Sequence, residues 1–148
     1  MNPIRWLALA PLLAACADAR EEPHLRFCRQ LTLTQLAPAS AVVWTAHHHE
    51  ARGYDGLTVT LQFESGPARQ SRTSRCHYAY QAADDTALTL ADPLAAYASA
   101  PTAMSLDDQP LTREALARAV RDALLAQGRA AVAHARQGLG LDDAPPAR

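Results

Sequence analysis

Leu57-Thr58-Val59-Thr60-Leu61-Gln62-Phe63-Glu64 is the stretch whose reading decides the fold. Apolar side chains at 57, 59, 61 and 63 alternate with polar ones at 58, 60, 62 and 64. Successive side chains of an extended chain point to opposite faces, so this pattern predicts a strand with one face in a core and the other in water. Strands covered on one side only belong to antiparallel sheets; parallel strands are buried on both.

Working outward, Gly53-Tyr54-Asp55-Gly56 is a turn signal, and before it Ala41 to Glu50 (AVVWTAHHHE) reads as a strand. After the central strand, Ser65 to Thr73 is polar and reads as a loop, and Ser74 to Gln81 reads as a third strand with Cys76, Tyr78 and Tyr80 on one face. Residues 41–81 are thus expected to form a three-stranded antiparallel meander.

Leu25 to Leu36 carries both helical spacing (Phe27, Leu31, Gln35) and a short alternation at Leu31-Thr32-Leu33-Thr34. Helix is the preferred reading, stopped by Pro38. Residues 84–109 lack a sustained period and contain Pro93 and Pro101, which predicts a loop with a short helix near Pro93 to Ser99. Thr112 is placed to cap a long helix from Arg113, with Leu116, Val120, Ala123, Ala131 and His134 on one face. The whole reads as one α+β domain over residues 25–140: a short N-terminal helix, the meander and a long C-terminal helix, followed by a flexible tail at 141–148.

The 148 residues hold three cysteines and fourteen basic residues, all of them arginine, against fifteen acidic ones. A net charge of −1 disfavours nucleic acid, which requires a basic excess. Cys28 and Cys76 suit one disulfide in an oxidising compartment, closing a loop worth about 4 kcal/mol in the chain-entropy model. Two buried free thiols are the other reading. No C-x-x-C accompanies them to suggest redox catalysis.

The N-terminus supplies the compartment. Arg5 precedes an uncharged apolar run, Trp6 to Ala15, too short to span a bilayer and proportioned like a signal-peptide core. It ends in Leu13-Ala14-Ala15-Cys16, which resembles the lipobox of bacterial lipoproteins. The resemblance implies a signal peptide over 1–15, a diacylglycerol on the Cys16 sulfur, and a further acyl chain such as palmitate on the new amino terminus. A tether over 16–24 then leads from the membrane, with the domain facing the periplasm. Ala17 rather than aspartate follows the cysteine, which in that family leans toward the outer over the inner membrane. Ala17-Asp18-Ala19 leaves open a different cleavage that would release a soluble periplasmic protein.

Cys28, Leu36, Pro38, Ser40-Ala41, Gly66, Arg69 and Cys76 together resemble a group of small bacterial secreted or lipoprotein domains of unknown function. Their pattern is a cysteine in a helix, a proline before a strand, and a polar hairpin leading to a second cysteine. The chain departs from it at Glu64-Ser65-Gly66, where the family places an asparagine before the glycine. The resemblance implies the same helix–meander–disulfide layout and no activity.

His47-His48-His49 is the most conspicuous polar feature. On a strand, His47 and His49 share a face about 6 to 7 Å apart, a spacing that suits Zn²⁺ or Cu²⁺ if Glu50, His77 or His24 supplies a third ligand. A solvent-facing strand end and a pH sensor are the competing readings. His134 reads as a packed or rim histidine. Arg69, Arg72 and Arg75 make a basic patch suited to lipid headgroups or cell-wall anions, or else a solvated loop. Asp84-Asp85, Asp107-Asp108 and Asp142-Asp143 read as turn and cap residues. No catalytic, nucleotide-binding or heme-attachment motif occurs, so no cofactor is indicated. The sequence favours a non-catalytic envelope lipoprotein with the membrane and an envelope protein as partners. A periplasmic metal-binding protein is the alternative, and a hydrolase with an unrecognised site the weaker one.

Overall fold

A computed structural model describes residues 21–36, 40–81 and 91–140. Cys16, residues 1–15 read as a signal peptide, Pro38, Asp84-Asp85, Asp142-Asp143 and residues 141–148 read as a tail lie outside them. The fold is α+β: helix α1 (Pro23–Gln35), strands β1 (Val42–Ala51), β2 (Leu57–Ser65), β3 (Gln70–Tyr78), β4 (Ala103–Leu106) and β5 (Gln109–Pro110), and helix α2 (Arg113–Gly138). The described strands form one antiparallel meander in the order β1-β2-β3-β4-β5.

Three strands were expected and five are present. Residues 103–110, all but the last of them expected as loop, form the added hairpin. Ser74–Leu106 and Cys76–Met104 pairing carries the sheet past β3. Asp107 and Asp108, both at positive φ, make its turn, which bears out their turn role. The loop read at 65–73 shrinks to four residues, 66–69, because β3 starts at Gln70. Pro93–Ala96 forms a short 3-10 turn, and Tyr80 pairs with Tyr97 as an isolated bridge rather than extending β3.

Alternation in β2 does what its pattern predicts. Leu57, Val59, Leu61 and Phe63 are all fully buried, while Gln62 on the other face is exposed. The buried face meets Leu25, Phe27, Cys28 and Leu31 of α1, Cys76 and Tyr78 of β3, Met104 of β4, and Leu116, Ala119 and Ala123 of α2. Both helices therefore serve one side of the sheet, and the other side faces water.

The disulfide between Cys28 and Cys76 joins α1 to the middle strand, with Cα atoms 5.9 Å apart. One turn further along α1, the Thr32 hydroxyl lies 2.8 Å from both the Cys28 carbonyl and the Ser74 hydroxyl; it donates to the first and accepts from the second. Those two polar side chains are buried and mutually satisfied.

Helix α1 starts at Pro23, two residues before the expected boundary, and so takes in residues 23 and 24, which were read as part of a tether. Proline suits the first helical turn, where an amide hydrogen has no intrahelical acceptor. Glu22 is the cap: its carboxylate accepts from the amides of His24 and Leu25 at 2.9 and 2.8 Å. At the far end of the chain, the Thr112 hydroxyl accepts from the amide of Ala115 at 3.2 Å, as its sequence position predicts.

Candidate functional site

β1 carries the histidines, and a bulge aims them. Trp44 pairs with Phe63, but Ala46 pairs with Gln62, so Thr45 is an extra residue in the strand. The insertion lets Trp44, His47 and His49 share the helix-facing side of the sheet, although 44 and 47 would fall on opposite faces of a regular strand. The His47 and His49 rings stand 5.7 Å apart, edge to face.

Among the candidate third ligands the structure is selective. Glu50 pairs with Thr58, and Thr58 with His77, which puts both candidates on the water-facing side, across the sheet from His47 and His49. The His77 ring instead sits against Gly56 and lies 3.4 Å from the Thr58 hydroxyl. His24 is on the right side, but the carboxylate of Glu22 stands between it and His49. No group of three or more histidine, cysteine or acidic side chains with metal-binding geometry occurs among the described residues.

What the structure assembles is a chain of polar groups, His24–Glu22–His49. One carboxylate oxygen of Glu22 meets Nδ1 of His24, and the other lies 3.1 Å from Nε2 of His49. The second ring nitrogen of His24, Nε2, is 3.1 Å from the carbonyl of Ala98. A neutral imidazole has one N–H, whereas both nitrogens of His24 face acceptors, so the imidazolium alone satisfies the site. The energetics agree. Burial works against the Glu22 carboxylate, yet the hydrogen bonds from the His24 ring and from the His24 and Leu25 amides prevail and bring its pKa down to about 2. Burial also works against charge on His24, and the Glu22 hydrogen bond and charge raise its pKa in spite of it.

This pair has the outline of a carboxylate–histidine dyad, and its surroundings make it structural. His24 is 7% exposed, and the nitrogen that would act as a base is spent on Ala98. The Tyr78 hydroxyl donates to the His24 carbonyl at 2.8 Å, and its ring packs edge-on against the imidazole. Burial, with the nearby Glu22 charge, pushes the Tyr78 phenol pKa up, which keeps it protonated as a donor. The dyad locks the entry of α1 onto β1 and β3. Sequence reasoning missed Glu22 as its hub.

Two of the three arginines of the basic patch read from the loop are paired with acids. Arg72 Nε donates to Asp107 at 2.7 Å, and Arg75 pairs with Asp108, so the β4–β5 turn supplies the counter-charges. The Asp107 carboxyl is held below its ordinary range: slight burial opposes this, and the Thr73 amide and Arg72 outweigh it.

The remaining candidate surface is on α2. Leu116, Ala119 and Ala123 are buried, and Gln30 of α1 donates to the Ala123 carbonyl at 3.1 Å. Beyond the hydrogen bond from Gln127 to Gln30, one turn further on, the helix leaves the body. Every residue from Leu124 to Gly140 is exposed, including Ala131 and His134, which were expected on the packed face. Leu124, Leu125, Val132 and Leu139 are each more than half exposed. At 100° per residue these four fall on one stripe about 100° wide, centred nearly half a turn from the buried face. No described helix is long and apolar enough to cross a membrane.

These features define an α+β domain with a disulfide-tied helix and a projecting amphipathic one. Comparison of the chain with protein-family models, with curated proteins and with solved structures finds no match.

Proposed function

We propose that the protein is a lipid-anchored, non-catalytic module of the bacterial cell envelope that binds through the projecting half of α2. The observation that carries the binding role is that α2 continues for fifteen residues beyond Ala123, about 22 Å, with its large apolar side chains in water. Solvent-exposed leucine and valine on a continuous stripe of a projecting helix fit a surface used for contact.

The anchor rests on the Leu13-Ala14-Ala15-Cys16 signature, and the Cys28–Cys76 disulfide suits the oxidising side of the inner membrane. The domain then faces the periplasm, and the outer membrane is favoured by Ala17. The metal-binding alternative loses two of its three further ligands to the opposite face of the sheet.

Mass spectrometry of the mature protein isolated from envelope membranes tests the anchor. A chain beginning at an acylated Cys16 is the expected result, and an unmodified chain beginning at Arg20 would refute it. A photo-crosslinker at position 132 tests the surface in intact envelopes. A specific adduct is expected there, and none at the water-facing Thr60.

A further inference from the structure

The projecting half of α2 has a charge pattern as well as an apolar stripe. From Ala123 to Gly140 there is no carboxylate, and the charged side chains are Arg129 and Arg136, one turn pair apart along the same edge of the stripe. The chain as a whole is net negative, so this basic segment is a local exception. Leucine and valine on one face with arginine at its margin is the composition of helices that lie in a membrane interface, apolar side chains in the acyl boundary and guanidinium groups on anionic headgroups.

The location of the segment agrees with its chemistry. Pro23, Arg26 and Phe27 at the start of α1 line a cavity of about 230 Å³ together with Leu124 and Gln127 of α2. The point where the chain enters the domain is therefore beside the point where α2 leaves it. Gln127 Nε2 donates to Gln30 at 2.7 Å and holds that junction. Cys16 precedes Pro23 by seven residues, a reach of at most roughly 25 Å. Given the anchor, the projecting half of α2 is confined to the neighbourhood of the bilayer.

We infer that the projecting half of α2 lies on the membrane that carries the anchor, with Leu125 and Val132 in the interface and Arg129 and Arg136 on anionic phospholipid headgroups. This inference deepens the proposed binding role and rests on it. A second copy of the chain fits less well, because pairing two such stripes brings arginines of like sign together and adds no carboxylate to meet them. The consequence is a two-point attachment: lipid at one end, helix at the other. It fixes the orientation of the domain on the bilayer, which a lipid alone leaves free.

The test uses the mature protein purified from envelope membranes, its N-terminus first determined by mass spectrometry. Val132 is 56% exposed, so V132W is carried without disturbing the core. The protein is placed on vesicles of phosphatidylcholine, or of phosphatidylcholine with a quarter phosphatidylglycerol, each with brominated acyl chains. Trp44 serves as the internal reference, since it is half-buried and packs against Phe63 of the sheet.

At least twofold stronger quenching of the introduced tryptophan on the anionic vesicles is expected, and R129E/R136E is expected to abolish the difference. Absence of quenching on anionic vesicles overturns the inference. So does a stable dimer in sedimentation whose formation shields position 132. Failure of the two readings is distinguishable. An acylated Cys16 with no quenching sinks the helix contact alone, and an unacylated chain that is still quenched sinks the anchor alone.

Discussion

Replacing Glu22 by glutamine removes one charge and keeps the shape of the cap, so it isolates the electrostatics of the His24–Glu22–His49 group. The Glu22 carboxyl falls from an ordinary 4.5 to about 2 in the fold. That shift corresponds to about 3 kcal/mol of folding stability, at about 1.4 kcal/mol for each tenfold change in proton affinity. The side chain is 20% exposed, so solvent screening takes only part of this.

The pH dependence follows from the two directions. A carboxyl with a lowered pKa contributes fully above pH 4.5 and loses its contribution as pH falls toward 2. An imidazole with a raised pKa contributes fully below pH 6.5 and loses its contribution as pH rises through the folded value. The stability gap between the native protein and E22Q is thus widest between pH 4.5 and 6.5, and it narrows on either side. Thermal unfolding followed by circular dichroism at pH 2, 5.5 and 9 measures it. A depression of the midpoint on the order of 10 °C is expected at pH 5.5, with a smaller one at pH 9. Equal depression at all three pH values would refute the ion pair and leave only a lost helix cap.

Three further outcomes follow from the same structure. C28S/C76S is expected to lose about 4 kcal/mol in urea unfolding, the loop-closure value for residues 48 apart; an unchanged midpoint would mean that the link does not constrain the unfolded chain. Gly56 has φ +104°, and a Cβ there would stand 2.6 Å from the His77 ring and 2.7 Å from the Tyr78 carbonyl. G56A is therefore expected to destabilise by more than about 1 kcal/mol, with the shift seen in the same urea assay. In Zn²⁺ titration calorimetry, the native protein and H47A/H49A are expected to bind equally weakly, since His77 and Glu50 face the other way; tight binding lost in the variant would restore the metal reading.

The strand at 57–64 was readable because one face is buried from end to end and the other is wet, so every second residue carries the signal. The Cys28–Cys76 pairing was readable from the number of cysteines together with the expectation of an oxidising compartment. β4 was not: Ala103–Leu106 spans four residues with a single buried large side chain, Met104, too short for any period to emerge. Its strand character comes from pairing with β3, about thirty residues away. Glu22 escaped notice because glutamate is not among the side chains favoured as helix caps, and its partners His24 and His49 come together only in the folded chain. The helical period of α2 runs unbroken past Ala123. A period says which residues share a face, and what lies beneath that face depends on where α1 ends its contact.

The Cys28–Cys76 bond also determines how the domain bears load. Cys28 is twelve residues from Cys16, and its partner lies in β3, the middle strand of the sheet. Tension applied from the N-terminal side can draw out the chain only as far as residue 28 before it meets a covalent link. The force then passes into β3, which is hydrogen-bonded to a strand on each flank. The 48-residue span between the cysteines, roughly 160 Å of contour, is withdrawn from extension. A domain pulled by a tether at its N-terminal edge would otherwise unravel helix first; here the helix is riveted to the sheet it covers.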